Sequence, residues 1–236
     1  MTMKIKRVLL KLSGESLMGE KEFGIDAEHI NSFAQQIKKI KEHDIELAVV
    51  IGGGNIFRGL AGTNIGVNRV KGDQMGMLAT VINSLALQSG LENAGVKSRV
   101  FTAIRMEPFS DYYVKENAQK SMQDGFVNII AAGTGNPYFT TDSAAALRAL
   151  ELEADVLIKG TKVDGVFSSD PNKDKAAVKY DRLSYNEAIE KRLNVMDMTA
   201  FALCRDNNLP IIVFNITKPG NLEKVILGAE VGTLVH

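Results

Sequence analysis

The chain has 236 residues, and its 28 Lys plus Arg balance its 28 Asp plus Glu, so the formal net charge at pH 7 is zero. Hydrophobic residues make up 45% and charged residues 24%, which is ordinary for a globular protein and does not indicate nucleic-acid binding. No apolar run approaches the roughly 18 residues that a membrane-spanning helix requires. Because there is one cysteine, Cys204, and no signal peptide precedes the first strand, we expect a cytoplasmic protein.

The first predicted strand, residues 7–12, ends at Ser13 and Gly14. Lys11 stands near the end of this apolar run, where a lysine either extends to solvent or faces an anion. Because Ser13 and Gly14 follow so closely, we interpret Lys11 as a phosphate ligand. An amphipathic helix is predicted next, beginning at an Asp26 cap.

The second predicted strand, residues 46–51, is almost wholly apolar, as a central parallel strand is, and it ends in the triple glycine 52–54. Three successive glycines are entropically costly to order, but they let backbone pass close to a ligand. Arg58 follows, and a phosphate contact and a solvated loop charge are equally good interpretations of it. Asp73 is predicted to open a long helix.

Strands continue to alternate with helices along the rest of the chain. Further strands are predicted at residues 96–101, 126–131, 154–159, 210–215 and 232–235, with helices at 114–122, 144–150, 185–193, 197–206 and 221–227 and a loop at 106–113. This alternation predicts an α/β fold, a three-layer α/β/α sandwich with a mostly parallel central sheet. Residues 1–236 are interpreted as a single domain with two lobes, at about 1–150 and 151–236.

The loop after the fourth predicted strand combines glycines with helix-capping residues. Gly133 and Gly135 let backbone amides approach a ligand, and residues 140–143 all suit a helix N-cap. A helix start of this kind attracts phosphate, although the pattern alone fits a simple β–α turn equally well. The other glycine-rich strand ends favour a ligand site, because the carboxyl ends of parallel strands meet at one edge of the sheet.

The residues collected at that edge favour phosphate chemistry over metal or dinucleotide chemistry. The chain contains neither G-x-x-x-x-G-K-[ST] nor a G-x-G-x-x-G that opens a helix after the first strand, and its three histidines and one cysteine provide no metal set. Mg²⁺ carried by a nucleotide suits the available oxygen ligands better. Phosphoryl transfer needs positioning and charge neutralisation, and an ionised phosphate acceptor needs no catalytic base.

Five segments resemble the bacterial uridylate kinase family of the amino-acid-kinase superfamily. They are Lys-Leu-Ser-Gly-Glu at 11–15, Gly-Gly-Gly-Asn at 52–55 with Arg58, Gly-Asp-Gln-Met-Gly-Met at 72–77, Gly-Thr-Gly-Asn-Pro-Tyr-Phe-Thr-Thr-Asp at 133–142 and Thr-Lys-Val-Asp-Gly-Val at 161–166. The first two indicate only the superfamily, whereas the third and fourth together are far more specific. The resemblance extends over the whole length, to residues 215–220.

The resemblance implies an amino-acid-kinase-like fold and transfer of the ATP γ-phosphoryl group to UMP, giving UDP in pyrimidine nucleotide biosynthesis, with Mg²⁺. It implies ATP contacts for Lys11, Leu12, Ser13, Gly14, Gly54, Arg58, Thr161, Phe167 and Asp170. It implies UMP contacts for Gly53, Asp73, Thr134, Gly135, Asn136, Pro137, Tyr138, Phe139, Thr140 and Thr141. Phe167 stands where many family members have a tyrosine, so a contact that needs that hydroxyl is not expected here.

Catalytic roles implied by the resemblance fall on Lys11, Arg58, Asp142 and Lys162. Asp142 would orient Lys11 and a second lysine, for which Lys159 and Lys162 are both candidates. The family resemblance also implies a homohexamer, with GTP and UTP as effectors.

Two alternatives stay open at this point. One is another kinase of the superfamily, acting on a carboxylate or carbamate, whose acyl-phosphate product hydroxylamine would trap. The other is a nucleotide-binding storage or sensor protein on the same fold, since a shared scaffold does not guarantee a shared role. Such a protein would bind ATP and UMP without making UDP, and the presence of Lys11 and Asp142 argues against it.

Overall fold

The computed structural model describes residues 5–57 and 66–236. The strands in this part of the chain are β1 (Arg7–Leu12), β2 (Glu46–Ile51), β3 (Ser98–Thr102), β4 (Asp111–Tyr112), β5 (Val127–Ala131), β6 (Val156–Thr161), β7 (Arg182–Leu183), β8 (Ile211–Asn215) and β9 (Thr233–Val235). They form one sheet in the order β4-β3-β5-β2-β1-β6-β8-β9-β7. The pairings between these strands are parallel except that of β8 with β9, so the mostly parallel sheet is confirmed.

Helices cover both faces of the sheet. They are α1 (Ala27–Lys41), α2 (Arg69–Asn93), α3 (Lys115–Gln123), α4 (Thr141–Glu151), α5 (Tyr185–Glu190), α6 (Met198–Asp206) and α7 (Asn221–Ile226), with a short 3-10 helix at Gly14–Leu17. No helix in the described ranges is long and apolar enough to span a bilayer.

The alternation of side chains along β1 separates the two apolar layers. Leu10 and Leu12 pack with α1, α2 and α7 on one face, whereas Leu9 packs with α3, α4 and α6 on the other. Because successive side chains of a strand point to opposite faces, Lys11 shares the face of Leu9. The three-layer α/β/α arrangement is therefore confirmed, while its division into two lobes stays a prediction.

Most predicted elements are present, with ends shifted by one or a few residues. Three differences are larger, and one of them is the short strand β7, which lies where no strand is predicted. Helix α2 begins at Arg69 rather than at Asp73, because the Asn68 side chain caps it by accepting a hydrogen bond from the Lys71 N–H at 3.0 Å. The predicted loop at 106–113 contains the short edge strand β4, whose pairing with β3 no local pattern indicates.

Candidate active site

Two lysines from neighbouring strands lie side by side on the α4 face of the sheet. Lys11 in β1 and Lys159 in β6 are partners in the parallel register. Leu9 and Leu157, two residues earlier in each strand, pack in the apolar layer that includes α4, so both lysines point toward that layer. Their side chains are only 12% and 16% exposed. Two buried ammonium groups on strands about 4.8 Å apart repel each other and need an anion between them.

Asp142 at the start of α4 supplies that anion. Its Oδ1 lies 2.7 Å from Lys11 Nζ, and its Oδ2 accepts a hydrogen bond from Lys159 Nζ at 2.7 Å. Burial by itself would raise the pKa of Asp142, but the two lysines together outweigh it and hold the pKa below its usual value. Burial lowers the pKa of Lys159, and Asp142 opposes that shift. The result is a compact charge cluster in which one carboxylate orients two lysines.

The positions of Lys159 and Lys162 show which of the two candidates for the second lysine contacts Asp142. Strand β6 extends to Thr161, so Lys159 lies within the strand, whereas Lys162 lies just past its end. Lys162 is exposed and lines a separate cavity together with Glu15 and Thr217. Asp142 therefore orients Lys159, while any catalytic role of Lys162 stays a prediction.

The charge cluster borders a small open cavity at the carboxyl ends of β1 and β2. This cavity has a volume of about 300 Å³ and is lined by Lys11, Ser13, Gly14, Gly52, Gly53, Gly54, Thr140, Thr141, Asp142 and Asp197. Gly14 is required by close packing, since a Cβ there would lie 2.4 Å from Asn55 Oδ1 and 2.5 Å from the Gly52 carbonyl oxygen. Backbone amides, a hydroxyl and an ammonium group around an open space form a surface suited to phosphate oxygens.

A second cavity adjoins the first. It has a volume of about 340 Å³ and is lined by Gly53, Gly54, Phe57, Arg69, Gly72, Asp73, Gly76, Met77, Thr80, Gly133, Thr134, Asn136, Phe139, Thr140 and Thr141. The two cavities share Gly53, Gly54, Thr140 and Thr141. The carboxyl end of the sheet therefore offers two binding spaces in contact with each other.

Asp73 joins helix α2 to the loop that follows β5. Its carboxylate accepts hydrogen bonds from Arg69 Nε at 2.9 Å and from the Tyr138 backbone N–H at 2.8 Å. The Arg69 guanidinium also lies 5.6 Å from the centre of the Tyr138 ring. Tyr138 has a φ of 72°, an unfavourable value for a residue with a side chain, so these contacts hold the loop in a specific shape.

Two buried asparagines support the triple glycine from behind. Asn83 in α2 donates to the Gly52 carbonyl at 2.8 Å and to Asn55 Oδ1 at 2.7 Å. Asn55 donates to Asn83 Oδ1 at 3.0 Å and to the Gly24 carbonyl at 2.8 Å. The four amide N–H groups of the pair are thus all used, and they tie the glycine loop to α2 and to the segment before α1.

The structure does not bring every predicted contact residue to these cavities. Leu12 is buried in the core, and its contribution near the site is a carbonyl that accepts from the Gly52 N–H at 3.0 Å. Thr161, Phe167 and Asp170 line neither cavity, so their ATP contacts stay predictions. Within the loop at 133–141, Gly135, Pro137 and Tyr138 are not among the lining residues. Arg58 lies outside the described residues.

Sequence reasoning missed three polar residues of the site: Arg69, Thr80 and Asp197. Arg69 precedes Asp73 by four residues, which is the spacing of an ion pair on one helix face, so its pairing was accessible from the sequence. Thr80 accepts a hydrogen bond from the Ala132 N–H at 2.8 Å, and Asp197 contacts residues more than 50 positions away. No local pattern indicates those two contacts.

Known proteins match this chain over nearly its full length. Residues 6–215 match the amino acid kinase family. A uridylate kinase from Phocaeicola vulgatus is 58% identical over 233 residues, which cover 99% of each chain. The UMP kinase structure from Bacillus anthracis has a TM-score of 0.95 at 38% identity, covering 98% of this chain and 96% of that one. The UMP kinase structure from Ureaplasma parvum has a TM-score of 0.93 at 39% identity and covers 98% of each chain.

Proposed function

The chain belongs to the amino acid kinase family and, within it, to the uridylate kinases, and we propose that its two adjoining cavities hold the two substrates of that reaction. The enzyme transfers the γ-phosphoryl group of ATP to UMP and forms UDP, a step of pyrimidine nucleotide biosynthesis. One observation carries the assignment of the cavities. They meet at Gly53, Gly54, Thr140 and Thr141, so a donor phosphate in one adjoins an acceptor phosphate in the other.

The donor phosphates occupy the smaller cavity in this proposal. Lys11, Ser13, Gly14 and Gly54 hold them, with Thr161, Phe167 and Asp170 toward the nucleoside as the family resemblance implies. During transfer, negative charge is spread over the equatorial oxygens of the γ-phosphoryl group, and Lys11 and Lys159 neutralise that charge. An ammonium group has three N–H donors, so the ion pair with Asp142, in which Nζ and Oδ1 lie 2.7 Å apart, leaves Lys11 donors for other ligands. Asp142 thus orients both lysines while leaving donors for the phosphate.

The acceptor UMP occupies the larger cavity. Asp73 and the loop at 134–141 hold the nucleotide, and Thr140 and Thr141 lie where its phosphate would approach the donor. The attacking oxygen belongs to a phosphate that is ionised near neutral pH, so the site needs no general base. Catalysis then consists of bringing two anions together and screening their repulsion.

Mg²⁺ fits this site as an ion that ATP carries. Across the described residues no three His, Cys, Asp or Glu side chains come together as a metal set, and both oxygens of Asp142 contact lysines. Mg²⁺ keeps several waters and binds substrate phosphates more than dedicated protein cages. We propose that the ATP phosphates and water would supply the ligands of the ion, which would neutralise phosphate charge alongside the lysines.

A coupled assay of UDP formation tests the proposed function. UMP, CMP and AMP are compared as acceptors at saturating MgATP, and UMP is expected to exceed the others by at least about tenfold in kcat/KM. Binding of ATP and UMP by calorimetry without UDP formation would instead support the storage or sensor alternative. Product trapped by hydroxylamine from a carboxylate acceptor would support the other kinase class.

We also propose that the protein assembles as a homohexamer, as the family resemblance implies. Helix α2 exposes an apolar stripe on its outer side: Met75 is 39%, Leu78 51% and Ile82 49% exposed. A second copy covering this stripe would bury it. Light scattering should show a multimer for the natural protein and smaller species for Leu78→Glu with Ile82→Glu. A monomeric natural protein at micromolar concentration contradicts the proposal.

The finer regulatory and cellular assignments stay proposals. Activation by GTP and inhibition by UTP are tested by titrating each nucleotide at subsaturating ATP and UMP. Inhibition by UTP that UMP fully relieves would mean competition at the acceptor cavity rather than a separate site. Cytoplasmic location stays a prediction from the single cysteine.

A further inference from the structure

Asp197 places a second carboxylate at the edge of the phosphate cavity, and no motif indicated it. It is the N-cap of α6, where its Oδ1 accepts from the Ala200 N–H at 3.0 Å. Its Oδ2 accepts a hydrogen bond from the Thr140 hydroxyl. The Ser143 hydroxyl donates to the same carboxylate, at 3.1 Å from Oδ1 and 3.3 Å from Oδ2. Asp197 therefore joins the start of α6 to the start of α4.

The contact with Asp197 determines how the Thr140 hydroxyl is used. A hydroxyl has one proton to donate and two lone pairs that accept. The proton of Thr140 goes to Asp197, and the oxygen accepts from the Asp142 and Ser143 backbone N–H groups, both at 3.1 Å. Those two amides belong to the second and third residues of α4, and Thr140 is its N-cap. Asp197 thus orients the cap of the helix that carries Asp142.

The segment that carries Asp197 also contacts the second lysine. Lys159 Nζ donates to the Val195 carbonyl at 2.8 Å, two residues before Asp197. Within a stretch of three residues the chain therefore positions Lys159 through a carbonyl and Asp142 through Thr140. These are two of the three members of the charge cluster that Asp142 forms with Lys11 and Lys159.

We propose that Asp197 is a positioning residue for phosphoryl transfer, because through Thr140 it sets the place of Asp142 between Lys11 and Lys159. This inference rests on the proposed assignment of the smaller cavity to the ATP phosphates. Displacement of a catalytic group by about 1 Å can lower turnover about a hundredfold. The effect of losing Asp197 is therefore expected in kcat, although its hydrogen bonds are all made within the protein.

Asp197→Asn separates this role from simple capping of α6. Asn and Asp are equally good N-caps, so the contact with the Ala200 N–H can persist through Oδ1. An amide N–H₂ in place of Oδ2 cannot accept the Thr140 proton, so the hydroxyl must turn away. Asp206→Asn at the exposed carboxyl end of the same helix is the matched control, since it removes the same charge far from Thr140.

The experiment compares the natural full-length protein, Asp197→Asn, Asp206→Asn and Thr140→Ala in the UDP assay and in thermal unfolding. For Asp197→Asn we expect kcat to fall about 10- to 100-fold, KM for ATP to change less than about twofold, and the unfolding midpoint to shift by less than about 3 °C. The double variant of Asp197→Asn with Thr140→Ala should have a kcat no more than about twofold below that of the worse single variant, because both substitutions remove the same hydrogen bond between Thr140 and Asp197.

Three results would overturn the inference: natural kcat in Asp197→Asn, fully additive losses in the double variant, or a kcat loss that disappears when the assay is cooled below an early unfolding transition. The last result would leave Asp197 as a cap of α6 only. UDP formation by the natural protein and by Asp206→Asn tests the proposed function separately. Failure of the positioning role is thus distinguishable from failure of the assignment on which it rests.

Discussion

The two ends of the central sheet each hold a buried ion-pair cluster, yet only one is suited to chemistry. Strand β1 contributes to both, with Arg7 at the amino end and Lys11 at the carboxyl end. Arg7 Nε lies 2.6 Å from Glu46 Oε2, and Arg7 Nη1 donates to the Leu152 carbonyl at 2.7 Å. The exposed fractions of Arg7 and Lys11, 16% and 12%, barely differ. Burial and ion pairing therefore do not by themselves identify an active site.

Cavity size does not identify it either. A cavity of about 380 Å³ lies at the amino end, lined by Arg7, Lys41 and Glu46 among others, and it exceeds the 300 Å³ phosphate cavity. The difference lies in what surrounds the charges. At the amino end the guanidinium is bound to a carboxylate and a carbonyl, whereas at the carboxyl end Lys11 lines a cavity with glycine-rich loops and shares Asp142 with Lys159. A lysine beside glycine-rich loops can bind a transferring phosphate, whereas an arginine held by a carboxylate and a carbonyl joins strands together.

The largest effect on activity should come from removing a lysine at the carboxyl end. For Lys11→Ala and Lys159→Met we expect kcat to fall about a hundredfold or more with the fold intact, because a charge contact made in the transition state is lost. Steady-state kinetics and circular dichroism measure the two quantities. Lys162→Met is the matched variant for the lysine past the end of β6, and a larger loss there than in Lys159→Met would reverse our choice between them.

Removing the ion pair between Arg7 and Glu46 at the amino end of the sheet should lower stability and leave kcat nearly unchanged. Arg7→Met leaves the largely buried Glu46 without its closer partner, with Lys6 Nζ still 3.9 Å from Oε1, and we expect the free energy of unfolding to drop by about 2 kcal/mol. Urea denaturation measures that loss, and kcat below the transition should stay within about twofold of the natural value. A severe kcat loss in folded Arg7→Met would show that the two ends of β1 are coupled.

A smaller effect is expected at the acceptor cavity. Asp73→Ala removes the acceptor for Arg69 and for the Tyr138 N–H, so the loop at 133–141 loses its tie to α2. We expect KM for UMP to rise about tenfold, with KM for ATP nearly unchanged. Asp124→Ala, an exposed carboxylate after α3, is the control. A defect confined to ATP would contradict the assignment of the larger cavity to UMP.

The smallest expected effect is the pH dependence of stability and of kcat/KM, which involves one lysine at each end of the sheet. Burial lowers the pKa of both Lys159 and Lys41 below the usual 10.5. Each group binds fewer protons in the folded state than in the unfolded state, so its contribution to stability increases as pH rises from the folded value toward 10.5. Of these two lysines, only Lys159 must be charged for phosphoryl transfer. We therefore expect kcat/KM for ATP to decline by a fewfold as pH rises over the same range.

Lys41→Met provides the contrast at the amino end. It should weaken the rise of stability with pH and leave the alkaline decline of kcat/KM in place, which parallel pH series of unfolding and kinetics would measure. An alkaline decline that vanishes in Lys41→Met would mean that Lys159 does not control it.

Much of the fold and part of the site were accessible from the sequence alone. Strands β1 and β2 begin and end at the predicted residues, and Asp26 caps α1 as expected, accepting from the Glu28 N–H at 3.0 Å. Such features depend on residues close together in the chain, through apolar runs, glycines and capping side chains. The α/β class and the positions of the glycine-rich strand ends follow from the same local information.

The tertiary structure alone decided which side chains meet. Lys159 rather than Lys162 reaches Asp142 because β6 pairs in register with β1 and runs two residues past Lys159. The contact of Asp197 with Thr140 joins residues 57 positions apart. Strand order, register and the face of each side chain come from packing the whole chain at once, and a shift of one residue turns a side chain to the opposite face. Local sequence carries no information on those pairings, so it located the strand ends that form the site but not the contacts among them.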